Sequence, residues 1–154
     1  MVVEMSAGGP ERIQIVPDDY HTEHVGVTPD GLQVFATSEL FEVVGVRQMR
    51  FFAAAFVWNA QGEFERLEVR DVSRESVSPP GQGVASDEDM VETLLSELGG
   101  IELTPISVAP FAAEWEGITF GFVYLNEDGY ERVELHPGNG IAFSEPWDGY
   151  GYDT

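Results

Sequence analysis

The chain is 154 residues long and strongly acidic, with 28 Asp and Glu against seven Arg and no Lys, for a formal net charge of −21. That length suits one domain with a full core. Binding to nucleic acid or to an anionic membrane surface is disfavoured because both need cationic side chains, and no apolar run is long enough to span a bilayer. A basic protein partner is favoured by long-range steering, and acidity as a host adaptation is the alternative.

The N-terminus predicts a loose tail over residues 1–10, ending at Gly8-Gly9-Pro10. It shows neither the basic region nor the apolar core of a signal peptide. The chain has no Cys. Together these features favour a cytoplasmic protein without disulfides. Arg12 to Val16 alternates as a short strand that stops at Pro17.

Residues 18–24, DDYHTEH, form a predicted polar loop. His21, His24 and Glu23 are candidate metal ligands, because imidazole and carboxylate groups suit zinc or iron. His136 is a distant third ligand if the fold brings it close. The alternative is a polar surface loop, since His-x-x-His without a helix-borne His-Glu-x-x-His is a short pattern. No cofactor is expected.

Three stretches follow that predict strands and turns. His24 to Val27 and Leu32 to Thr37 form a predicted hairpin around Thr28-Pro29-Asp30-Gly31. Residues 38–46 fit either a short helical turn or a strand. Residues 50–71 read as two strands around the turn Asn59-Ala60-Gln61-Gly62, with β-branched and aromatic residues in short runs.

The second of these hairpins has a counterpart later in the chain. Phe56-Val57-Trp58 matches Phe122-Val123-Tyr124, and residues 64–69 match residues 130–135, both at an offset of 66. The arms and the turn therefore keep their lengths in sequence. We interpret the match as a duplication with pseudo-repeats at about 11–72 and 86–145 in a single domain, 11–154. Chance similarity of two amphipathic hairpins is the alternative.

The middle of the chain contains a loop and a helix. Residues 73–85 contain Pro79-Pro80-Gly81 and predict a loop. Residues 86–98 predict a helix with Ser86 as N-cap, acidic residues in the first turn and Gly99-Gly100 after its end. Its apolar stripe is expected to pack on a sheet, and a partner-binding helix is the alternative.

The remaining strands complete an α+β prediction. Residues 101–108 predict a strand interrupted by Pro105, residues 117–135 the second hairpin, and residues 141–143 a last short strand. We expect an antiparallel β-sheet of two related hairpin or meander units packed against one main helix, 86–98. The predicted core includes Phe56, Trp58, Leu94, Leu95, Leu98, Phe120 and Phe122.

The C-terminal tail is rich in aromatic residues spaced by Gly and Asp. Trp147, Asp148, Tyr150 and Tyr152 are candidate partner-binding residues, because aromatic side chains with polar tips suit interfaces. The alternative is that the tail folds back and closes the core.

Catalytic patterns are few. The chain has no Gly-x-Ser-x-Gly, no Cys and no phosphate-binding Gly loop. We expect a non-enzymatic protein-binding regulator or an immunity-type inhibitor. A small metal-dependent hydrolase using the His21/His24 loop is the alternative, and a DNA mimic with carboxylates spaced like phosphates is the third.

Several short motifs resemble a group of small uncharacterised bacterial proteins, some of which carry the name formate hydrogenlyase regulatory protein. They are residues 24–35, His-Val-Gly-x-Thr-x-Asp-Gly-x-Gln-x-Phe; residues 56–62, Phe-Val-x-x-Ala-x-Gly; and residues 146–154, Pro-Trp-Asp-Gly-x-x-Tyr-Asp-Thr. The resemblance implies a cytosolic regulator that is not an enzyme. It implies no particular site residues.

Overall fold

The fold is an antiparallel, sheet-rich one. The structure is a computed structural model that describes residues 3–5, 9–72, 87–138, 140–150 and 152–154. Strands account for 54% of the structure, against one short helix in the described ranges. Within the described residues, no helix has the length and apolar character needed to cross a membrane.

The described strands and the helix follow one another in the order β1 (Val3–Met5), β2 (Ile13–Ile15), β3 (His24–Val27), β4 (Gln33–Gly45), β5 (Gln48–Trp58), β6 (Phe64–Asp71), α1 (Asp87–Glu97), β7 (Glu102–Leu103), β8 (Ile106–Val108), β9 (Phe111–Trp115), β10 (Ile118–Glu127), β11 (Tyr130–His136) and β12 (Ala142–Phe143).

These strands form two five-stranded sheets and a two-stranded one. The first sheet has the order β1-β9-β10-β11-β12, the second the order β6-β5-β4-β3-β7, and β2 pairs with β8. Each large sheet is a meander of four consecutive strands with a fifth strand added at one edge. The antiparallel prediction is confirmed, but the prediction of one sheet against one main helix is only partly right. The two predicted hairpins lie in different sheets.

The two large sheets share an aromatic core. The first sheet contributes Phe111, Phe120 and Phe122, and the second contributes Phe35, Phe52, Phe56 and Trp58, all fully buried. Phe35 meets Phe122 edge to face at 5.2 Å between ring centroids, as Phe52 meets Phe120. Alternate residues of each strand point to this layer, so the sheets pack face to face.

Helix α1 covers the opposite face of the second sheet. Val91, Leu94 and Leu95 pack there on a floor of small residues from the two central strands, namely Val34, Ala36, Ala53, Ala55 and Val57. Small side chains let the helix approach the sheet closely. The central strand β5 is therefore buried on both faces from residue 52 to residue 58. The order of layers is sheet, sheet, helix.

Both predicted hairpins form, but their turns differ. Trp58 pairs with Phe64 around a five-residue loop, whereas Glu127 pairs with Tyr130 around Asp128-Gly129. Both turn residues of the second hairpin have positive φ, at 52° and 89°, as a two-residue hairpin turn requires. The expectation that the turns keep one length is therefore wrong in three dimensions. The duplication itself stays a prediction.

Other local predictions have mixed outcomes. Residues 38–45 are strand rather than helical turn, because they continue β4 beside β5. Within the predicted loose tail, residues 3–5 form β1, which takes the open edge of β9. The helix spans residues 87–97 and ends at the positive-φ glycines Gly99 and Gly100, as predicted. Ser86 and the predicted loop 73–85 lie outside the described residues. Strand β9 was not predicted.

Candidate functional site

The C-terminal tail folds back onto the body of the protein. Trp147 and Tyr152 pack against the core between the sheets. The carbonyl of Trp147 accepts a hydrogen bond from the N–H of Gln14 at 2.9 Å, and Ala142 exchanges two backbone hydrogen bonds with Asp153. The other two residues predicted to bind a partner are Asp148 and Tyr150. Asp148 is half-buried and accepts a hydrogen bond from the N–H of Tyr150, whereas the Tyr150 side chain is 73% exposed.

The last aromatic residue of the tail is held by the loop that contains His21. The hydroxyl of Tyr152 donates to Oδ2 of Asp18 at 2.6 Å and accepts the backbone N–H of His21 at 3.1 Å. The other carboxylate oxygen of Asp18 accepts the N–H groups of Tyr20, His21 and Thr22. We call the contact of Asp18, His21 and Tyr152 the tail clasp.

Both acidic groups of the tail clasp have shifted pKa values. Partial burial acts to raise the pKa of Asp18, but the hydrogen bonds from Tyr152 and from the backbone of Tyr20 and Thr22 together outweigh it and lower the pKa to about 2. Burial, then the hydrogen bond to Asp18, raises the pKa of Tyr152 to about 12. At neutral pH the clasp therefore joins a neutral phenol to a carboxylate.

Of the predicted metal ligands, His21, Glu23 and His24 border one small depression, and His136 lies elsewhere. Nδ1 of His21 lies 2.7 Å from Oε2 of Glu39, His24 begins β3, and Glu23 is exposed between them. His136 lies on β11 in the other sheet, beside Glu134. Within the described ranges, no group of three or more His, Asp or Glu is arranged to hold a metal ion.

The depression beside His21 and His24 is also small. It is lined by residues of the polar loop and of β4 and measures about 20 Å³. A water molecule needs roughly 10–15 Å³ on the same measure, so this space suits one water rather than a substrate. The geometry thus gives the hydrolase hypothesis no support.

The most unusual surface is the end of the β4–β5 hairpin, residues 41–51, which we call the arm. Strand β3 pairs with β4 over residues 33–36, and β6 pairs with β5 over residues 52–58. Beyond those points the two strands of the arm pair with each other, and at the base the carbonyl of Phe51 accepts the N–H of Val72 at 2.8 Å. Five residues per strand at about 3.4 Å each make an arm roughly 15 Å long.

One face of the arm is apolar. Phe41 lies opposite Phe51, and Val43 lies opposite Met49. Phe51 and Met49 are even steps from Ala53, so they face the same side of the sheet as α1. Val43 is 64% exposed and Val46, at the tip, is 92% exposed. The apolar face that α1 covers therefore continues along the arm without α1.

The other face of the arm is polar and anchored. Arg50 lies opposite Glu42, and its guanidinium donates to Asp71 at 2.7 Å and lies 3.7 Å from Glu116. The same guanidinium lies 5.1 Å from the ring centroid of Phe52. These contacts fix the base of the arm relative to both sheets. Arg47 at the tip is exposed and makes no ion pair with a described residue.

A second surface combines acidic and aromatic side chains at the β10–β11 turn. Tyr130 is 51% exposed, and its hydroxyl lies 3.4 Å from Oδ2 of Asp153 near the chain end. Glu127 and Asp128 precede it in the turn and are exposed. We call Glu127, Asp128, Tyr130 and Asp153 the acidic–aromatic patch. Arg132 lies beside it, 5.2 Å from the Tyr130 ring, and its hydrogen bonds to Glu127 and Glu134 raise its pKa.

Neither surface was a candidate from the sequence. Phe41 and Val43 are two residues apart, as are Met49 and Phe51, and this spacing predicts an apolar face on each strand. The sequence does not predict that the neighbouring strands end before this face. The signal for the patch is Tyr130 two residues after Asp128, in a turn that the sequence did identify. Comparisons with protein-family models, with curated proteins and with solved structures found no match.

Proposed function

We propose that this protein is a non-enzymatic binding protein, of the regulator or immunity-type inhibitor class, that recognises a basic protein through the acidic–aromatic patch. The observation that carries the proposal is the exposed ring of Tyr130 among Glu127, Asp128 and Asp153. Arg132 already pairs with Glu127 and lies 5.2 Å from the Tyr130 ring, so a Lys or Arg of a partner would gain from the carboxylates of Asp128 and Asp153 and from the exposed part of the ring.

The charge of the whole chain supports the same partner class. Three of its seven Arg are already engaged with carboxylates of the chain: Arg50 with Asp71 and Glu116, Arg70 with Glu68 and Glu97, and Arg132 with Glu127 and Glu134. The excess of acidic groups remains at the surface. A field of this sign raises the association rate with a basic protein and makes that rate dependent on salt.

Two further considerations support a binding role. The resemblance to small bacterial proteins, some of which are named as regulators, implies the same class. In the described structure the depression beside His21 has room for one water rather than a substrate.

The test compares two pairs of substitutions that remove the same charge. Untagged protein from the native host is used to identify a co-purifying protein, and its Kd is measured by calorimetry. Asp128→Asn with Asp153→Asn should weaken binding at least about tenfold, which is 1.4 kcal/mol. The control, Asp30→Asn with Glu92→Gln, removes two exposed charges elsewhere and should change Kd by about twofold or less. An acidic partner, or equal effects of the two pairs, would overturn the proposal.

A further inference from the structure

An open cleft lies where the C-terminal end of α1 meets the edge of the second sheet. The residues that line it come from the end of β3 and the turn after it, from the segment after α1 and from β7, and they include Val27, Pro29, Gly99, Gly100, Ile101 and Glu102. The volume of the cleft is about 450 Å³. Sites for small molecules typically measure roughly 300–1,000 Å³, so the cleft has room for a small ligand.

Two glycines after α1 keep the cleft open. The N–H groups of Gly99 and Gly100 donate to the carbonyls of Ser96 and Leu95 at 3.0 Å and 2.8 Å, which ends the helix in a turn that needs positive φ. Among the described residues, a Cβ atom at Gly100 would meet nothing within 4 Å beyond its chain neighbours, and one at Gly99 would meet Pro29 at 3.7 Å. The helix end therefore reaches the cleft without a side chain in between.

The lining combines apolar side chains with one carboxylate. Val27 and Ile101 are half-buried and Pro29 is exposed, and together they supply apolar surface. Glu102 is exposed, and it alone is charged among the described residues that line the cleft. Its backbone pairs with Val27 of β3, so the position of the strand does not depend on the Glu102 side chain.

The end of α1 adds a second negative group. The C-terminal end of a helix carries a partial negative charge from its last carbonyls, and cations are favoured there. Helix α1 has no basic residue in its last turn. Arg70 reaches this end of the helix from β6 and pairs with Glu97 at 2.9 Å, but it does not line the cleft. The cleft thus faces both the helix end and the Glu102 carboxylate without a cation in its lining.

We propose that the cleft is a binding site for a primary alkylammonium group. The alkyl chain packs on Val27, Pro29 and Ile101, and the ammonium group lies towards Glu102 and the end of α1. An ammonium group has three N–H donors and no acceptor, so it suits carboxylate and carbonyl oxygens. Free diamines and lysine side chains both carry such a group. The site is independent of the acidic–aromatic patch, which lies at the β10–β11 turn of the other sheet.

The first experiment titrates the ¹⁵N-labelled full chain with n-butylamine near neutral pH and at constant ionic strength. We expect saturable changes in the amide shifts of Gly99, Gly100 and Ile101, with a Kd on the order of 1 mM. Methylamine carries the charge without the chain, and 1-butanol carries the chain without the charge. Each should bind at least about fivefold more weakly, because each loses one half of the contact. Methylamine or 1-butanol that binds as tightly as n-butylamine would overturn the proposal.

A pair of matched substitutions separates the cleft from the general acidity of the chain. Glu102→Gln should raise the Kd for n-butylamine at least about threefold. Glu92→Gln removes the same charge from an exposed position on α1 that does not line the cleft, and should change Kd by about 1.5-fold or less. Equal effects of the two substitutions, or shifts that spread over the acidic surface without saturating, would overturn the proposal.

Two further ligands identify the source of the amine. The titration is repeated with 1,4-diaminobutane and with Nα-acetyl-lysine amide, again following the shifts of Gly99 and Gly100. Tighter binding of the diamine supports a site for a free diamine, and tighter binding of the lysine amide supports a site for a lysine side chain. If neither ligand shifts these two glycines, the proposal is wrong.

Discussion

The C-terminal tail and the arm are both rich in large apolar side chains, yet they lie in opposite environments. Trp147 and Tyr152 lie against the core, and the hydroxyl of Tyr152 donates to Asp18. Val43 and Met49 form an ordered cross-strand pair and face solvent. The difference shows that composition alone does not decide whether an apolar segment is buried or exposed. The tail contacts both an apolar surface of the chain and an acceptor for its hydroxyl group, whereas among the described residues helix α1 packs over Ala53 to Val57 rather than over Val43 and Met49.

The largest expected difference in stability between two variants lies at the base of the arm, where Phe52 and Met49 face opposite sides of the sheet. Phe52→Ala removes a fully buried ring from the core between the sheets and should lower the free energy of unfolding by about 3–5 kcal/mol. Met49→Ala removes an exposed side chain and should lower it by less than about 1 kcal/mol. Urea unfolding measures both values. Similar losses for the two variants would show that the arm is packed within one chain.

A smaller contrast lies within the tail. Trp147→Ala uncovers part of the core and should destabilise by about 1–3 kcal/mol. Tyr150→Ala, three residues later, removes a mostly exposed ring and should change stability by about 0.5 kcal/mol or less. Thermal unfolding of the two variants separates a tail that closes the core from one that is free. A larger loss for Tyr150→Ala would contradict the described arrangement.

The tail clasp itself should have a modest effect. Tyr152→Phe keeps the ring and removes the hydrogen bond to Asp18, and it should cost about 1 kcal/mol at neutral pH. Asp18→Asn retains a polar group but loses the charge that three backbone N–H groups and Tyr152 share. A Tyr152→Phe protein as stable as wild type would show that the hydroxyl contributes nothing to the clasp.

The pH dependence of the clasp follows from its two shifted pKa values. The pKa of Asp18 falls from 3.8 to about 2, so its contribution is present above pH 3.8 and is lost as pH falls through about 2. The pKa of Tyr152 rises from 10.0 to about 12, so its contribution is present below pH 10 and is lost as pH rises through about 12. The difference in melting temperature between wild type and Asp18→Asn should therefore shrink below pH 3.8. A constant difference down to pH 2 would contradict the lowered pKa of Asp18.

The sequence predicts much of the local structure and little of the candidate sites. Turn residues and alternation identified the hairpins at 24–37, 50–71 and 117–135, and the apolar stripe of α1 identified the helix, because these signals are local. The assignment of β5 and β10 to facing sheets depends on pairing between distant strands. The register of the second hairpin also depends on whether Asp128-Gly129 alone forms the turn. The match in sequence to residues 59–62 instead predicts turns of equal length in the two hairpins.

The candidate sites depend still more on distant contacts. Trp147 and Tyr150 are alike in sequence, and only the position of Gln14 and the core decides which of them is covered. Val43 and Met49 are exposed in a region where neither β3 nor β6 pairs with the arm. No property of residues 41–51 alone specifies where their neighbours end. The His21/His24 pattern indicated a loop that does have a structural role, through the backbone of His21 in the tail clasp.

The most direct test of the contrast between tail and arm is the free energy of unfolding of a protein that lacks residues 146–154, measured in urea at low protein concentration. If the tail closes the core, its removal uncovers apolar surface and breaks the clasp. At about 25 cal/mol per Å², the loss should reach roughly 3 kcal/mol or more, a large share of a domain's stability of about 5–15 kcal/mol. Unfolding at an unchanged urea concentration would contradict the account and would make Trp147 a candidate anchor for a partner.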